Sequence, residues 1–137
     1  MSLIVDSSVA LSWCFEDEHT PATVALLDQV AEVGAMAPAL WPLEVLNGLA
    51  MAERRGRLDA ARRHQLIGFL RDLPINLDQE TANQTWTATA RLAERYRLTL
   101  YDAAYLELAQ RLNLPLATLD QELRVAANSL GVSLLGS

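Results

Sequence analysis

The sequence predicts a three-layer α/β/α sandwich with a central parallel sheet, and three observations predict it. Five short apolar runs are spread along the chain, each bounded by turn residues. The stretches between them carry helix start and stop signals. Strands separated by helices of this length pair in parallel, since parallel neighbours need crossover connections, and such a sheet is covered on both faces. A chain of 137 residues and 15.1 kDa has no room for a second substantial core, so one domain over 1–137 is expected.

Leu3-Ile4-Val5 is the first strand, closed by Asp6-Ser7-Ser8, and a short helix is expected from Val9 to Phe15. Thr20 caps the next helix and Pro21 opens it, with Val24, Leu27 and Ala31 on its inner face and Gly34 as its stop. Ala35-Met36-Ala37 is the second strand, ended by Pro38. Pro42 then starts a helix with Val45, Leu46, Leu49 and Ala50 inward, Glu53-Arg54-Arg55 outward and an end near Gly56. Asp59 caps a further helix that turns Leu66, Phe69 and Leu70 to the core. After the third strand, Pro74-Ile75-Asn76-Leu77, one long helix runs from about Thr81 to Tyr96 and another from about Tyr101 to Leu112. Leu116-Ala117-Thr118 and Val132-Ser133-Leu134-Leu135 are the last strands, with a short helix after Asp120 between them. There is no internal repeat, low-complexity segment or linker.

Composition narrows the chemistry. Hydrophobic residues make up 51% and charged residues 20%, the balance of a packed globular chain. The apolar runs are far too short to span a membrane, and the start lacks the basic and apolar regions of a secretory signal. Cys14 stands alone and cannot close an internal disulfide, so a reducing, cytoplasmic location is expected. All 11 basic residues are arginine. Without lysine there is no Walker-type phosphate loop and no Schiff-base enzyme. With only His19 and His64, and no G-x-S-x-G elbow, H-E-x-x-H zinc hydrolases and Ser-His-Asp hydrolases are excluded. A net charge of −6 argues against gripping nucleic acid by bulk electrostatics, but not against letting metal ions meet the phosphates.

In open α/β sheets the ligand crevice lies outside the carboxyl ends of the strands. Asp6 directly follows the first strand, and Asp120 follows the fourth after Leu119. Glu44 lies in the first turn of the helix after the second strand, and Asp102 in the first turn of the helix beginning near Tyr101. Each acid also has a local reading. Asp6 and Asp120 suit N-caps, Asp102 completes Thr99-x-x-Asp102, a capping box, and Glu44 complements the helix dipole. Glu44 sits among Leu40, Trp41, Leu43 and Val45 with no capping partner at Trp41, which makes the local reading weakest there. Four carboxylates converging on one crevice repel unless a cation intervenes, and Mg²⁺ or Mn²⁺ suits oxygen ligands without His or Cys. Such ions serve phosphodiester hydrolysis, in one- or two-metal form.

Ile4-Val5-Asp6-Ser7-Ser8-Val9, Pro42-Leu43-Glu44-Val45-Leu46-Asn47, the run Leu98 to Ala109 and Leu116-Ala117-Thr118-Leu119-Asp120 together resemble the PIN domain. More narrowly, they look like the VapC-type toxin ribonucleases of toxin–antitoxin pairs. The resemblance covers nearly the whole chain in order, and Tyr-Asp-Ala-x-Tyr-Leu-x-Leu-Ala is its most distinctive part. It implies an acidic quartet that binds Mg²⁺ or Mn²⁺ and cuts RNA. Asp6 and Asp102 would be direct metal ligands, and Glu44 and Asp120 would hold a second metal or orient water. Ser8 and Thr118 match small hydroxyl residues near the family's site, and each also suits a helix start or a strand end. A homodimer and a cognate antitoxin that blocks the crevice are implied as well. Alternatives are a housekeeping RNA-processing PIN nuclease and a non-catalytic RNA- or protein-binding module on the same fold.

Arg54, Arg55, Arg57, Arg62 and Arg63 form the densest basic patch, which either guides RNA or is a solvated hairpin tip paired with Glu53 and Asp59. Trp13, Cys14 and Phe15 are expected to pack, and Trp86 is expected in the core or at a dimer contact. Two bound divalent cations would bring the net charge to about −2, so the loaded protein should repel RNA less.

Overall fold

A computed structural model describes residues 2–137. Its five strands, β1 (Ile4–Val5), β2 (Ala35–Pro38), β3 (Ile75–Asp78), β4 (Leu116–Ala117) and β5 (Leu134–Leu135), form one parallel sheet in the order β3-β2-β1-β4-β5. Successive side chains of a strand face opposite sides of its sheet, yet Ile4, Val5, Leu116 and Ala117 are all fully buried. Both faces are therefore covered, as the three-layer expectation requires.

The chain builds outward from β1 to β2 and β3 and then returns to place β4 on the other flank of β1. That reversal puts a topological switch point between β1 and β4, where a crevice opens at the strands' carboxyl ends. Ile4 pairs with Leu116 and Val5 with Ala117, so Asp6 and Thr118 leave the sheet side by side.

The helices are α1 (Ser7–Ser12), α2 (Pro21–Val33), α3 (Trp41–Arg54), α4 (Ala60–Asp72), α5 (Thr81–Gln84), α6 (Ala90–Tyr96), α7 (Leu100–Leu112) and α8 (Gln121–Leu130). A π-helical segment, Thr85–Thr89, joins α5 to α6, so the long helix expected from Thr81 to Tyr96 is continuous but locally widened. Helix α7 packs across β1, β2 and β4, and every residue from Ala103 to Ala109 is buried. An element covered on all sides fixes whatever its first turn carries.

Two expected inner faces are corrected, and so is the core reading of one tryptophan. In α2 the buried residues are Thr23, Leu26 and Val30, while Val24 and Ala31 are exposed. Thr23 tolerates burial because its hydroxyl donates to the Thr20 carbonyl and accepts from the Thr20 amide, and Trp13 Nε1 donates to the Thr23 carbonyl at 2.7 Å. In α3 the buried stripe is Trp41, Val45, Leu49 and Ala52, which leaves Leu46 exposed and Ala50 half-buried. Trp86 projects from the π-segment and is 85% exposed, so it is no core residue. Trp13 and Cys14 pack as expected, and burial pushes the Cys14 thiol up to about 11.

One ion network ties α7 to the sheet. Arg111 Nη2 meets Asp78 Oδ2 at 2.5 Å, and its Nε donates to Glu107 Oε2 at 2.8 Å. Burial pushes the Asp78 carboxyl up, but the Arg111 guanidinium and the Glu80 amide bring it net below the usual carboxylate range. Arg111→Met should leave two buried carboxylates without a counter-charge and destabilise the fold by about 3 kcal/mol or more. Urea unfolding would measure this, and Glu107→Gln in the same background should recover part of the loss.

Candidate active site

The crevice at the switch point begins with Asp6, the residue at which β1 stops. Its extended backbone (φ −90°, ψ 172°) makes it the N-cap of α1, and Oδ1 accepts from the Val9 amide at 3.1 Å. Capping and site membership are thus both true of the same side chain. Ser8 Oγ donates to Oδ1 at 2.6 Å and Thr118 Oγ1 donates to Oδ2 at 2.5 Å. Each hydroxyl in turn accepts a backbone amide from the loop after β4: Leu119 to Ser8 at 3.0 Å, and Asp120 to Thr118 at 3.0 Å. Two hydroxyls therefore weld the ends of β1 and β4 through one carboxylate. A carboxylate has about four lone-pair sites, so three donors leave one, on Oδ2, open.

Asp120 caps α8, with Oδ1 accepting from the Leu123 amide at 2.9 Å. Glu44 stands in the first turn of α3 and accepts from Tyr105 Oη at 2.6 Å. Tyr105 is fully buried three residues after Asp102, one turn along α7. Burial and the Glu44 charge push its hydroxyl well above the ordinary tyrosine value, so it acts as a permanent donor that holds Glu44 beside Asp102. Asp102 itself is fixed by its helix start, where its amide donates to Thr99 Oγ1 at 3.1 Å.

The four acids lie close enough to one another for their charges to interact. The Asp102 carboxyl is raised to about 6, most by burial and then by Asp120, Glu44 and Asp6 in that order. Asp6 is raised too, chiefly by burial and slightly by Glu44, against the hydrogen bonds from Ser8, Thr118 and Val9. Among the described residues no three His, Cys, Asp or Glu side chains converge closely enough to chelate one bare ion. The donor set nonetheless fits Mg²⁺ or Mn²⁺ better than zinc. It is all carboxylate, and Mg²⁺ keeps most of its water while taking one or two carboxylates from the protein.

Of the six residues expected at the site, hydrogen bonds join Asp6 to Ser8 and Thr118, the Asp120 amide donates to the Thr118 hydroxyl, and Asp102 lies within electrostatic reach of Asp120, Glu44 and Asp6. The sequence reading missed two partners. Tyr105 had a visible signal, its i, i+3 spacing from Asp102 on a helix. Arg124 had none: its guanidinium ties the Thr118 carbonyl at 2.8 Å to the Leu135 carbonyl at 2.9 Å. An apolar cavity of about 280 Å³ between α3, α4 and β3 contains none of the four carboxylates. The basic patch is partly spent on structure. Arg63 pairs with Glu53, Arg57 pairs with Asp17 and Glu18 and covers the Phe15 ring, and Asp59 caps α4 rather than forming an ion pair.

The model of the PIN domain matches residues 3–128. The chain belongs to the PIN-domain family. Within it, this PIN domain groups with the VapC proteins. It is 30% identical over 127 residues to Ribonuclease VapC3 of Pyrobaculum aerophilum, an alignment covering 90% of this chain and 92% of that one. The crystal structure of PAE2754 from the same organism superposes with a TM-score of 0.70 at 25% identity, over 98% of this chain and 92% of that one. VapBC2 of Rickettsia felis, solved bound to a DNA fragment from its promoter, shares the fold with a TM-score of 0.65 at 15% identity, over 100% of this chain and 99% of that one.

The raised Asp102 carboxyl has a stability consequence. The folded protein keeps this proton to about pH 6, whereas the unfolded chain releases it near its ordinary value of 3.8. Metal-free protein therefore loses stability as pH rises from about 4 to about 6. For a half-exposed group, discounted for screening, the loss is about 1 kcal/mol. In chelator at pH 7, Asp102→Asn should melt higher than wild type, and the gap should close below pH 4. Asp6 acts in the same direction, so the variant should retain part of the slope.

Proposed function

We propose that this PIN domain is a Mg²⁺- or Mn²⁺-dependent endoribonuclease, the toxin of a type II toxin–antitoxin pair, which hydrolyses RNA phosphodiester bonds. The observation that carries the reading is the Asp102 carboxyl, lifted by burial and by three acids from separate elements at the switch point. Concentrated negative charge at the mouth of a parallel sheet is costly unless a cation balances it. Asp6 and Asp102 would hold the ion directly, with Glu44 and Asp120 completing its hydrated shell or holding a second one. Bound there, the metal would supply Lewis-acid polarisation of a phosphoryl oxygen and a more acidic water.

The chain's own groups do the positioning. Ser8 and Thr118 hold Asp6 in one orientation and leave a lone pair on Oδ2 free to take a ligand. Tyr105 donates to Glu44 and keeps it from swinging to solvent. The named activity of VapC3 supports ribonuclease chemistry, and the VapBC2 assembly supports a cognate antitoxin. A homodimer and a reducing, cytoplasmic location belong to the same reading. With one cysteine, itself buried, the fold needs no oxidising compartment.

Purified protein and cellular RNA in Mn²⁺ test the proposal. Asp102→Asn should lower cleavage by more than about 100-fold, and Glu44→Gln by about 10- to 100-fold, with folds intact by circular dichroism. Wild-type rates in both variants would remove the acidic quartet from the mechanism.

A further inference from the structure

The acidic crevice has an apolar lip. Leu43 is 76% exposed and Tyr101 is 64% exposed, and neither belongs to the hydrophobic core. They share an open cavity of about 520 Å³ with Leu40, Glu44 and Asn47. One of the acids lines this cavity and another adjoins it in sequence. Glu44 is the first, and Tyr101 immediately precedes Asp102 in the first turn of α7. Leu40 packs partly against the core, but the Tyr101 ring and the Leu43 side chain are left in water beside a charged site and lack a structural purpose within the chain.

Charge decides what fits there. With a phosphodiester at the carboxylates, the nucleotides on either side lie within one sugar–phosphate step. A second phosphate would face Glu44 in a chain of net charge −6, with no cationic side chain lining the cavity. A nucleobase is neutral, offers a π-face to an aromatic ring, and has an edge that an amide can read as donor or acceptor. We infer that Tyr101, Leu43 and Leu40 form a subsite for one unpaired nucleobase next to the scissile phosphate, stacked on the Tyr101 ring, with the Asn47 amide available to its edge. The inference rests on the ribonuclease reading and deepens it. It gives the substrate a feature, an unstacked nucleotide beside the cut, as single-stranded loops of folded RNA provide.

The test maps cut sites of wild type, Tyr101→Ala, Tyr101→Phe and Asn47→Ala on total cellular RNA in Mn²⁺, followed by steady-state kinetics on the best site. Mn²⁺ binding by calorimetry checks each variant's acidic site. Loss of the stack should raise KM about tenfold with a smaller change in kcat, and Tyr101→Phe should restore it. Base preference at one position flanking the cut should relax in Tyr101→Ala and shift in Asn47→Ala, while metal binding stays unchanged. Unchanged KM and base profile in Tyr101→Ala, with wild type cutting normally, would overturn the subsite and leave the nuclease reading standing. Unchanged cleavage together with weakened antitoxin binding would overturn it in favour of a protein-docking lip. No metal-dependent cutting by wild type would remove both readings.

Discussion

The Asp6 carboxylate is the joint on which the molecule turns. It ends β1, caps α1 and takes two hydroxyl hydrogen bonds whose oxygens are in turn held by amides of the β4–α8 loop. Because β1 and β4 flank the switch point, this joint connects the two halves of the sheet at the place where a parallel α/β fold presents its crevice. A buried acid with three donors is oriented as well as satisfied. Replacing it would unpair two hydroxyls and remove a cap at once.

The remaining acids are placed by elements that the same geometry fixes. Helix α7 is buried along most of its length and anchored at its far end by the Arg111 network, so Asp102 and Tyr105 have no freedom to drift. Tyr105 then holds Glu44 across from a different helix. The cost appears in the Asp102 carboxyl, raised to about 6 first by burial and then by the charges of the other three acids. If the acids act as proposed, stability and function pull in opposite directions at this point, as crowded polar sites in enzymes commonly do. The network at Arg111 shows the contrast. There an arginine balances two buried acids, and Asp78 moves below its ordinary range instead of above it.

Strand and helix positions were legible because Pro, Gly and capping residues punctuate this chain clearly, as at Thr20-Pro21, Gly34 and Asp59. Asp6 and Asp120 were legible as residues that follow strand ends, where an α/β crevice lies, and Glu44 and Asp102 as acids in helix first turns. Helix faces were less so. In α2 the buried residue is Thr23, whose polarity hides the stripe, since local hydrogen bonds that make its burial tolerable are invisible to a hydrophobic pattern. Trp86 differs for the opposite reason: a large aromatic suits a core as well as a dimer contact, and the π-segment turns it outward, which removes the core reading alone. Arg124 acts on carbonyls at the ends of two strands, a contact that depends on register and leaves no spacing to find.

The central claim is that four carboxylates are crowded at the switch point to hold a divalent cation. Calorimetric titration of Mn²⁺ into metal-free wild type and Asp102→Asn, with melting curves on the same samples, tests it most directly. Saturable binding should raise the wild-type melting temperature and be lost in the variant, even though the variant melts higher without metal. Equal binding by both proteins, or none by wild type even with a non-cleavable RNA present, would contradict it.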